Sequence, residues 1–285
     1  MSVRSLRYNS LMLGQTKYRS ASTDRDAAAF LEAASIYKSD ERKAIYELVR
    51  LLKQYGLWSK MRAIYPFIGG TATTHKWNLK DPRDSNAAYR LTFSGGWTHS
   101  ATGAKPNGSN AYANTYFNSG LITRDSGHMA YYSKTNRTNP AGIEVEMGSL
   151  KSLPNSYNSL VAGFRISGVN YHTGRWCNNG GGTIAAMDVN TLGFYQVSRI
   201  STTDCKVRKN ATLIVTDADT IGQTSGANIF IGSTNDHSTG STDTPKDYSF
   251  RECSYASIGT GLTADECNAH YWAVDKYQRL LSRNV

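Results

Sequence analysis

Short segments of alternating or apolar residues follow one another from residue 63 to residue 257. Gly, Asn, Pro and Ser lie between the segments, which is the pattern of antiparallel strands joined by turns. About ten strands in a single sheet would curl or split, so this pattern predicts two packed sheets. The predicted strands are Ala63–Ile68, Ala88–Phe93, Tyr112–Asn118, His128–Lys134, Ile143–Met147, Ser159–Ile166, Gly193–Arg199, Lys206–Val215, Ala227–Gly232 and Tyr248–Ser257.

The composition also favours a mainly β protein. Among 285 residues there are 25 Gly and 18 Tyr, whereas only 19% of the residues are charged. Aromatic side chains suit a half-buried pleated surface, and glycines suit the turns between strands. We therefore expect a mainly β fold in which two antiparallel sheets form a sandwich.

Two helices are predicted ahead of the strands, over residues 23–62. Thr23 opens a helix that runs through Tyr37. Ser39 caps a second helix, which Gly56 ends. Apolar residues continue into the first strand without a linker, so this helical module should dock on the β domain.

The stretch from Phe250 to Leu281 is predicted to be the last strand followed by a helix. Thr263 lies three residues before Glu266, which is the spacing of a capping box. The helix 263–281 should lie against a sheet, so that residues 63–285 form a sandwich domain that ends in a helix. Its apolar residues recur at steps of three and four, namely Cys267, Tyr271, Val274, Tyr277 and Leu281.

The first 22 residues form a basic segment without Asp or Glu. Few of them can build a core, so residues 1–22 are predicted to be an extended arm that another surface orders. An acidic protein subunit is the favoured partner, because spread basic residues leave a weaker electrostatic footprint for nucleic acid than clustered ones. The candidate anchoring residues are Arg4, Arg7, Lys17 and Arg19.

Membrane, cofactor and zinc signals are absent from the sequence. It has no run of about 18 apolar residues and no apolar signal-peptide core, so we expect a soluble chain without a signal peptide or a membrane partner. It has no glycine motif for a nucleotide phosphate, and no cofactor is expected. Free thiols are expected, because CxxC spacing is missing, and a disulfide framework stays open. The cysteines are Cys177, Cys205, Cys253 and Cys267.

Glu144 and Glu146 are the first candidates for catalysis. Residues i and i+2 of a strand share a face, and two carboxylates on one face can serve glycoside hydrolysis. Sandwich enzymes that cleave β-glucans carry Glu-x-Asp-x-Glu on a longer strand, whereas Gly142 and Gly148 flank the pair in this chain. The third carboxylate is missing, so the pair is predicted to lie on the solvent-facing side of a strand. No catalytic residue is predicted.

Hard oxygen ligands for calcium occur on two predicted loops. Ordinary turns require the same Asp and Asn residues, because these side chains hydrogen-bond to the neighbouring backbone. The turn interpretation is favoured, and no metal ligand is predicted. The residues concerned are Asp217, Asp219, Asn235, Asp236 and Asp243.

Several aromatic residues near Asn side chains suggest a surface for carbohydrate. Flat apolar rings can stack on a pyranose while amide groups bind its hydroxyls. The alternative is that these rings fill the core or a subunit interface. Strand alternation places Tyr131 and Tyr132 on opposite faces, so at least one of them packs against protein. The candidate carbohydrate-binding residues are Trp97, Tyr112, Asn114 and Tyr131.

Two segments carry the most specific signal in the chain. They are WSKMRAIYPFIGGTATTHKWNLKDPRDSNAAYRLTFSGGWTHSATGAKPNGSNAYANT, from Trp58 to Thr115, and CSYASIGTGLTADE, from Cys253 to Glu266. Together they resemble a group of virion proteins of tailed bacteriophages, commonly phages of gut bacteria, over residues 58–285. The resemblance implies a concanavalin A-like or laminin G-like jelly-roll sandwich, a fold that hosts capsid decorations, fibre heads, lectins and glycosidases alike.

The resemblance also implies a role. It indicates a non-enzymatic structural protein of the virion, either a capsid auxiliary or decoration protein or a component of a head or tail fibre. The implied partners are other capsid, fibre or tail subunits and further copies of the chain, in a particle assembled in the host cytoplasm. The arm and the helical module would attach to a partner while the sandwich faces outward. A carbohydrate-binding adhesin for host glycans is the alternative, and a polysaccharide-degrading enzyme is a third hypothesis.

Overall fold

The computed structural model describes residues 24–137, 140, 142–151, 156–166, 169–179, 183–186, 190–217 and 220–285. The predicted arm, with Arg4, Arg7, Lys17 and Arg19, lies outside these residues, as does Asp219. The described residues form three layers, which are a group of helices, an eight-stranded sheet and a nine-stranded sheet.

The helices and strands follow one another in a simple order, with helices mainly at the two ends. The helices are α1 (Arg25–Ala33), α2 (Ser39–Gln54), α3 (Ala72–His75) and α4 (Ala264–Leu280). The strands are β1 (Met61–Tyr65), β2 (Thr92–Ser94), β3 (Trp97–Ser100), β4 (Gly103–Pro106), β5 (Tyr112–Asn118), β6 (Gly127–Ser133), β7 (Met147–Lys151), β8 (Ser156–Ile166), β9 (Val169–Asn178), β10 (Ile184–Ala186), β11 (Gly193–Arg199), β12 (Cys205–Lys209), β13 (Thr212–Asp217), β14 (Asn228–Ile231), β15 (Thr234–Asp236), β16 (Pro245–Lys246) and β17 (Cys253–Gly259).

The strands form two sheets that face each other. The eight-stranded sheet has the order β13-β12-β11-β6-β17-β4-β3, and β1 also pairs with β17. The nine-stranded sheet has the order β10-β9-β8-β7-β14-β5-β2, with β15 beside β7 and β16 beside β15. The strand pairs are antiparallel, apart from the parallel pair β7–β15. The predicted two-sheet antiparallel jelly-roll sandwich is confirmed.

Two apolar clusters hold the three layers together. One lies between the sheets and includes Phe117, Met129 and Trp176. The other lies between the helices and the eight-stranded sheet and includes Leu48 and Phe194. Strands β6, β11 and β17 are consequently buried on both faces. The four cysteines are free and buried, and they are Cys177, Cys205, Cys253 and Cys267.

The predicted capping box at the start of α4 is present. The Thr263 side chain accepts a hydrogen bond from the Glu266 backbone N–H (3.3 Å), and the Thr263 backbone N–H donates to Glu266 Oε2 (2.8 Å). Further along the helix, Tyr277 Oη donates to the carbonyl oxygen of Pro66 at 2.8 Å. The Tyr277 contact ties α4 to the residue that follows β1 of the eight-stranded sheet.

The N-terminal helices differ in their ends from the prediction. Asp24, rather than Thr23, caps α1, because its carboxylate accepts hydrogen bonds from the backbone N–H groups of Asp26 and Ala27. Helix α1 ends at Ala33, well before the predicted end, and α2 packs against α4. Within the described residues, no helix is long and apolar enough to cross a membrane.

Several strand boundaries also differ. The segment Lys206–Val215, predicted as one strand, is a hairpin of β12 and β13, and Asn210 and Ala211 take the left-handed conformation at its turn. The predicted strand Ile143–Met147 is replaced by β7, which begins where the prediction ends. Short strands such as β3, β4, β15 and β16 were not predicted, because two to four residues are too few for a period to emerge.

Candidate functional site

Glu144 and Glu146, predicted to face solvent, are instead buried, with exposures of 4% and 0%. Arg251, also fully buried, donates from Nη1 to Glu144 Oε2 at 2.9 Å and to Glu146 Oε1 at 3.0 Å. Arg137 Nε donates to Glu144 Oε1 at 2.6 Å, and Ser249 Oγ donates to Glu146 Oε1 at 3.0 Å. The prediction of a solvent-facing pair is therefore wrong. The cause is Arg251, just ahead of β17, which supplies the positive charge that buried carboxylates require.

The arrangement of this ion cluster is that of a stabilising network and not that of the carboxyl pair in a glycoside hydrolase. Glycoside hydrolysis needs one protonated and one ionised carboxyl group facing a substrate. Both carboxylates here are held by guanidinium groups, and the Arg137 guanidinium also lies 4.3 Å from the centre of the Phe250 ring. The cluster joins the start of β7 to the start of β17, and it therefore ties the two sheets together.

The structure separates the four predicted carbohydrate-binding residues into two groups. Tyr131 is fully buried between the sheets, where its hydroxyl donates to the Arg251 carbonyl oxygen at 2.6 Å. The Trp97 indole Nε1–H donates to the carbonyl oxygens of Ser94 (3.1 Å) and Tyr112 (3.2 Å), and its ring packs edge to face on Phe93. These two rings are engaged by protein.

Tyr112 and Asn114 lie together on the outer face of the nine-stranded sheet. Alternate residues of β5 are buried, which leaves Tyr112, Asn114, Tyr116 and Asn118 half-buried on the other face. The Tyr112 ring stacks on Phe230 of β14, with ring centres 4.7 Å apart. The sequence period of two was sufficient to place these residues on one face.

A hairpin beside β5 contributes polar groups to the same face. It consists of β15, β16 and the exposed turn between them. Asp243 in this turn accepts hydrogen bonds from Asn235 Nδ2 (2.7 Å), His237 Nε2 (2.9 Å) and Asn114 Nδ2 (3.3 Å). The carboxylate thus joins the hairpin to β5.

The other acids considered for calcium also have protein partners. Asp236 accepts from the Ser238 backbone N–H at 2.8 Å, which is an Asx turn, and forms an ion pair with Lys246 at 2.7 Å. Asp217 accepts hydrogen bonds from Asn178 Nδ2 and from the Thr183 backbone N–H. In the part of the chain that the structure describes, no group of three or more His, Cys, Asp or Glu side chains is placed to hold a metal ion.

A cavity of about 200 Å³ lies on the other side of the hairpin, next to β7, β8 and β9. The Arg175 guanidinium lies 5.4 Å from the centre of the Tyr157 ring. Asp247 takes the left-handed conformation, with φ of 55°, and burial raises the pKa of its carboxyl group. The lining residues are Ile143, Val145, Leu150, Tyr157, Asn158, Thr173, Arg175, Thr234, Lys246 and Asp247.

This cavity combines aliphatic walls with a cation, a carboxyl group and an aromatic ring, which is the chemistry of a site for a small polar ligand. Sequence reasoning missed Tyr157, Arg175 and Asp247. Tyr157 and Arg175 lie on the consecutive strands β8 and β9, whereas Asp247 comes much later in the chain, and no local pattern indicates that the hairpin meets these strands.

Comparisons with known proteins yield structures but no family. No protein-family model matches the chain, and no curated protein matches it. Domain 4 of a GH43 extracellular arabinanase from Geobacillus stearothermophilus has 14% sequence identity and a TM-score of 0.40, and the match covers 74% of this chain and 98% of that domain.

Two further solved structures are comparably distant. A Trypanosoma rangeli sialidase has 10% identity and a TM-score of 0.46, and the match covers 81% of this chain and 39% of the sialidase. The binding domain of botulinum neurotoxin serotype D/C has 10% identity and a TM-score of 0.45, and the match covers 76% of this chain and 53% of the toxin domain. The chain thus spans about half the length of the toxin domain and less than half the length of the sialidase. Likenesses this weak transfer neither an activity nor a ligand.

Proposed function

We propose that this chain is a non-enzymatic structural protein of a tailed-phage virion, as a capsid auxiliary or decoration protein or as part of a head or tail fibre. The observation that carries the proposal is the way in which the two phage-like segments meet. Strand β1 of the first segment pairs with β17 of the second, with Ala63 opposite Ile258 and Tyr65 opposite Ala256. Lys60 also forms an ion pair with Glu266 at 2.6 Å. The two segments that carry the resemblance are therefore in contact with each other and belong to one structural unit.

The three layers suit a chain that attaches by one side and is displayed by the other. Helices α1, α2 and α4 cover the outer face of the eight-stranded sheet. The outer face of the nine-stranded sheet carries the half-buried Tyr112 and Asn114. In the proposed arrangement, the arm and the helices face the particle and the nine-stranded sheet faces outward.

The non-enzymatic part of the proposal is supported by the ion cluster. With Glu144 and Glu146 both tied to Arg251, we expect the purified chain to release no reducing ends from host polysaccharides. A reducing-end assay tests this. Release by the intact chain that is lost in Glu144→Gln would contradict the proposal.

Composition of purified particles tests the structural role. We expect mass spectrometry of virions to find the chain in a fixed ratio to the major capsid or tail protein, because virion parts follow the symmetry of the particle. The chain should stay bound through a density gradient. Its absence from purified particles would overturn the proposal.

A carbohydrate-binding adhesin is the second candidate, and the outer face of the nine-stranded sheet favours it. Tyr112 and Asn114 offer a ring and an amide on this face, and the cavity on the other side of the hairpin offers the Arg175 cation. A glycan array that includes host capsule should then detect binding. Tyr112→Ala should weaken that binding roughly tenfold, the loss of about one good contact, whereas Tyr55→Ala on the helical layer should not. If the chain binds no glycan on the array, the adhesin candidate is excluded.

A further inference from the structure

An open groove of about 800 Å³ lies on the helical layer, between α2 and α4. Its walls include Tyr37, Arg42, Lys43, Tyr46, Lys276 and Leu280. We infer that this groove docks an acidic segment of a neighbouring virion protein, which inserts an apolar side chain between the two helices. This inference rests on the proposed function and adds the surface and the chemistry of the attachment.

Large aromatic side chains are exposed at the groove and about one helical turn from its lining residues on α4. Tyr37 is 77% exposed, and Trp272 on α4 is 57% exposed. Trp272, Lys276 and Leu280 are spaced by four residues, so they lie along one face of α4. Trp, Tyr and Arg are the residue types that carry most of the binding energy at protein interfaces.

The charge of the groove is positive. Glu47 is the acid among its lining residues, and Arg50 holds both of its oxygens, from Nε at 2.8 Å and from Nη2 at 2.7 Å. Lys43 and Lys276 form no ion pair with any residue that the structure describes. With Arg42 they leave an excess of positive charge, which attracts and orients an acidic partner.

Charge also argues against other occupants. The chain's own arm, residues 1–22, contains basic residues and no Asp or Glu, so it would be repelled. The same face of a second copy would bring like charges together. Nucleic acid is disfavoured because aromatic and aliphatic walls break up the basic stripe that a phosphate backbone requires. An acidic peptide segment satisfies both the charges and the apolar walls.

Photo-crosslinking in assembled virions tests the inference with the full-length chain. A benzophenone amino acid replaces Tyr37 in one variant and Leu213, which is 47% exposed on β13, in a control. Ultraviolet light should join the Tyr37 position to a peptide of another virion protein in which Asp and Glu outnumber Lys and Arg. The Leu213 position should not reach that peptide.

Charge reversal provides the second readout. Lys276→Glu should lower the crosslinking yield from position 37 roughly tenfold, which corresponds to about 1.4 kcal/mol. Lys105→Glu, at an exposed position of β4, is the matched control and should leave the yield unchanged.

The outcomes separate this inference from the proposed function. If the unmodified chain is absent from particles, the proposed function fails and the inference fails with it. If the chain is present but position 37 crosslinks to its own arm, to a second copy, to nucleic acid or to nothing, the inference alone fails. An unchanged yield in Lys276→Glu would overturn it as well.

Discussion

Arg251 supplies the charge that allows Glu144 and Glu146 to be buried. Moving an ion out of water costs several kcal/mol, and only close pairing and hydrogen bonding offset that cost. Both distances from Arg251 Nη1, 2.9 and 3.0 Å, meet this requirement. Two carboxylates two residues apart can therefore be part of the framework of a sandwich instead of its chemistry.

Removal of this arginine should be costly. We expect Arg251→Met to lower the free energy of unfolding by about 3–5 kcal/mol, because it removes the guanidinium that both buried carboxylates share and leaves Glu144 with Arg137. Urea unfolding measures the loss. Arg83→Met is the matched control, since Arg83 pairs with Asp81 while 70% exposed, and it should leave the free energy of unfolding almost unchanged. Equal losses in the two variants would show that the cluster is not what stabilises this region.

Buried histidines make stability depend on pH. Burial lowers the pKa of His75 to about 3 and that of His128 to about 4, and it lowers the pKa of His270 well below its usual value. His270 is held as the neutral ring, because Nδ1 donates to Gln196 Oε1 and Nε2 accepts from the Tyr255 hydroxyl, both at 2.9 Å. The unfolded chain, with histidine pKa near 6.5, therefore binds more protons in weak acid.

The direction of the pH dependence of stability follows from these lowered pKa values. The contribution of these histidines to the free energy of unfolding should be fully present above about pH 6.5. It should fall as the pH drops toward the folded pKa values, by about 1.4 kcal/mol per pH unit for each histidine. The midpoint of urea unfolding, compared at about pH 7.5 and about pH 5, measures the effect. His270→Gln should have a smaller difference between the two midpoints. A midpoint that stays constant over this range would be incompatible with buried neutral histidines.

Individual elements were predictable where their signal is local. The capping box of α4 needs only Thr263 and Glu266 three residues apart, and both of its hydrogen bonds are present. The two-faced burial of β17 was not predictable, because a period of two assumes one solvent-facing side, whereas the helices cover the outer face of this strand. Residue alternation alone did not reveal the turn between β12 and β13, since that turn uses Asn210 and Ala211 and no glycine.

The cap of α4 gives a prediction at the scale of this element. Thr263→Ala should lower the free energy of unfolding by about 1 kcal/mol, because the Glu266 backbone N–H loses its acceptor. Thermal unfolding would report this as a lower Tm. Thr263→Ser keeps the hydroxyl and should restore most of the loss. An alanine variant as stable as the parent chain would mean that the end of α4 is fixed by its packing alone.

The arrangement of the whole molecule depends on contacts that no short pattern reports. The number of strands and their alternation were enough to predict two sheets, but the meeting of β1 with β17, about 200 residues apart, required the structure. The same holds for the outer-face site. Its β5 residues follow from alternation, whereas Asp243 reaches it from the hairpin.

The basic arm gives a prediction for the whole molecule. Deletion of residues 1–22 should abolish incorporation of the chain into particles while the Tm of the purified protein stays unchanged. The reason is that α1 begins at Arg25 with its own cap, Asp24, and that the described residues of both apolar clusters come later in the chain. Normal incorporation of the truncated chain would refute an anchoring role for the arm.

A cryo-electron microscopy map of the intact virion tests the central claim most directly. We expect density for the sandwich in symmetry-related copies on the particle, with α2 and α4 toward a neighbouring subunit and the outer face of the nine-stranded sheet toward solvent. Particles without density for this chain would contradict its structural role. A chain bound instead through Tyr112 and the hairpin would contradict the proposed orientation.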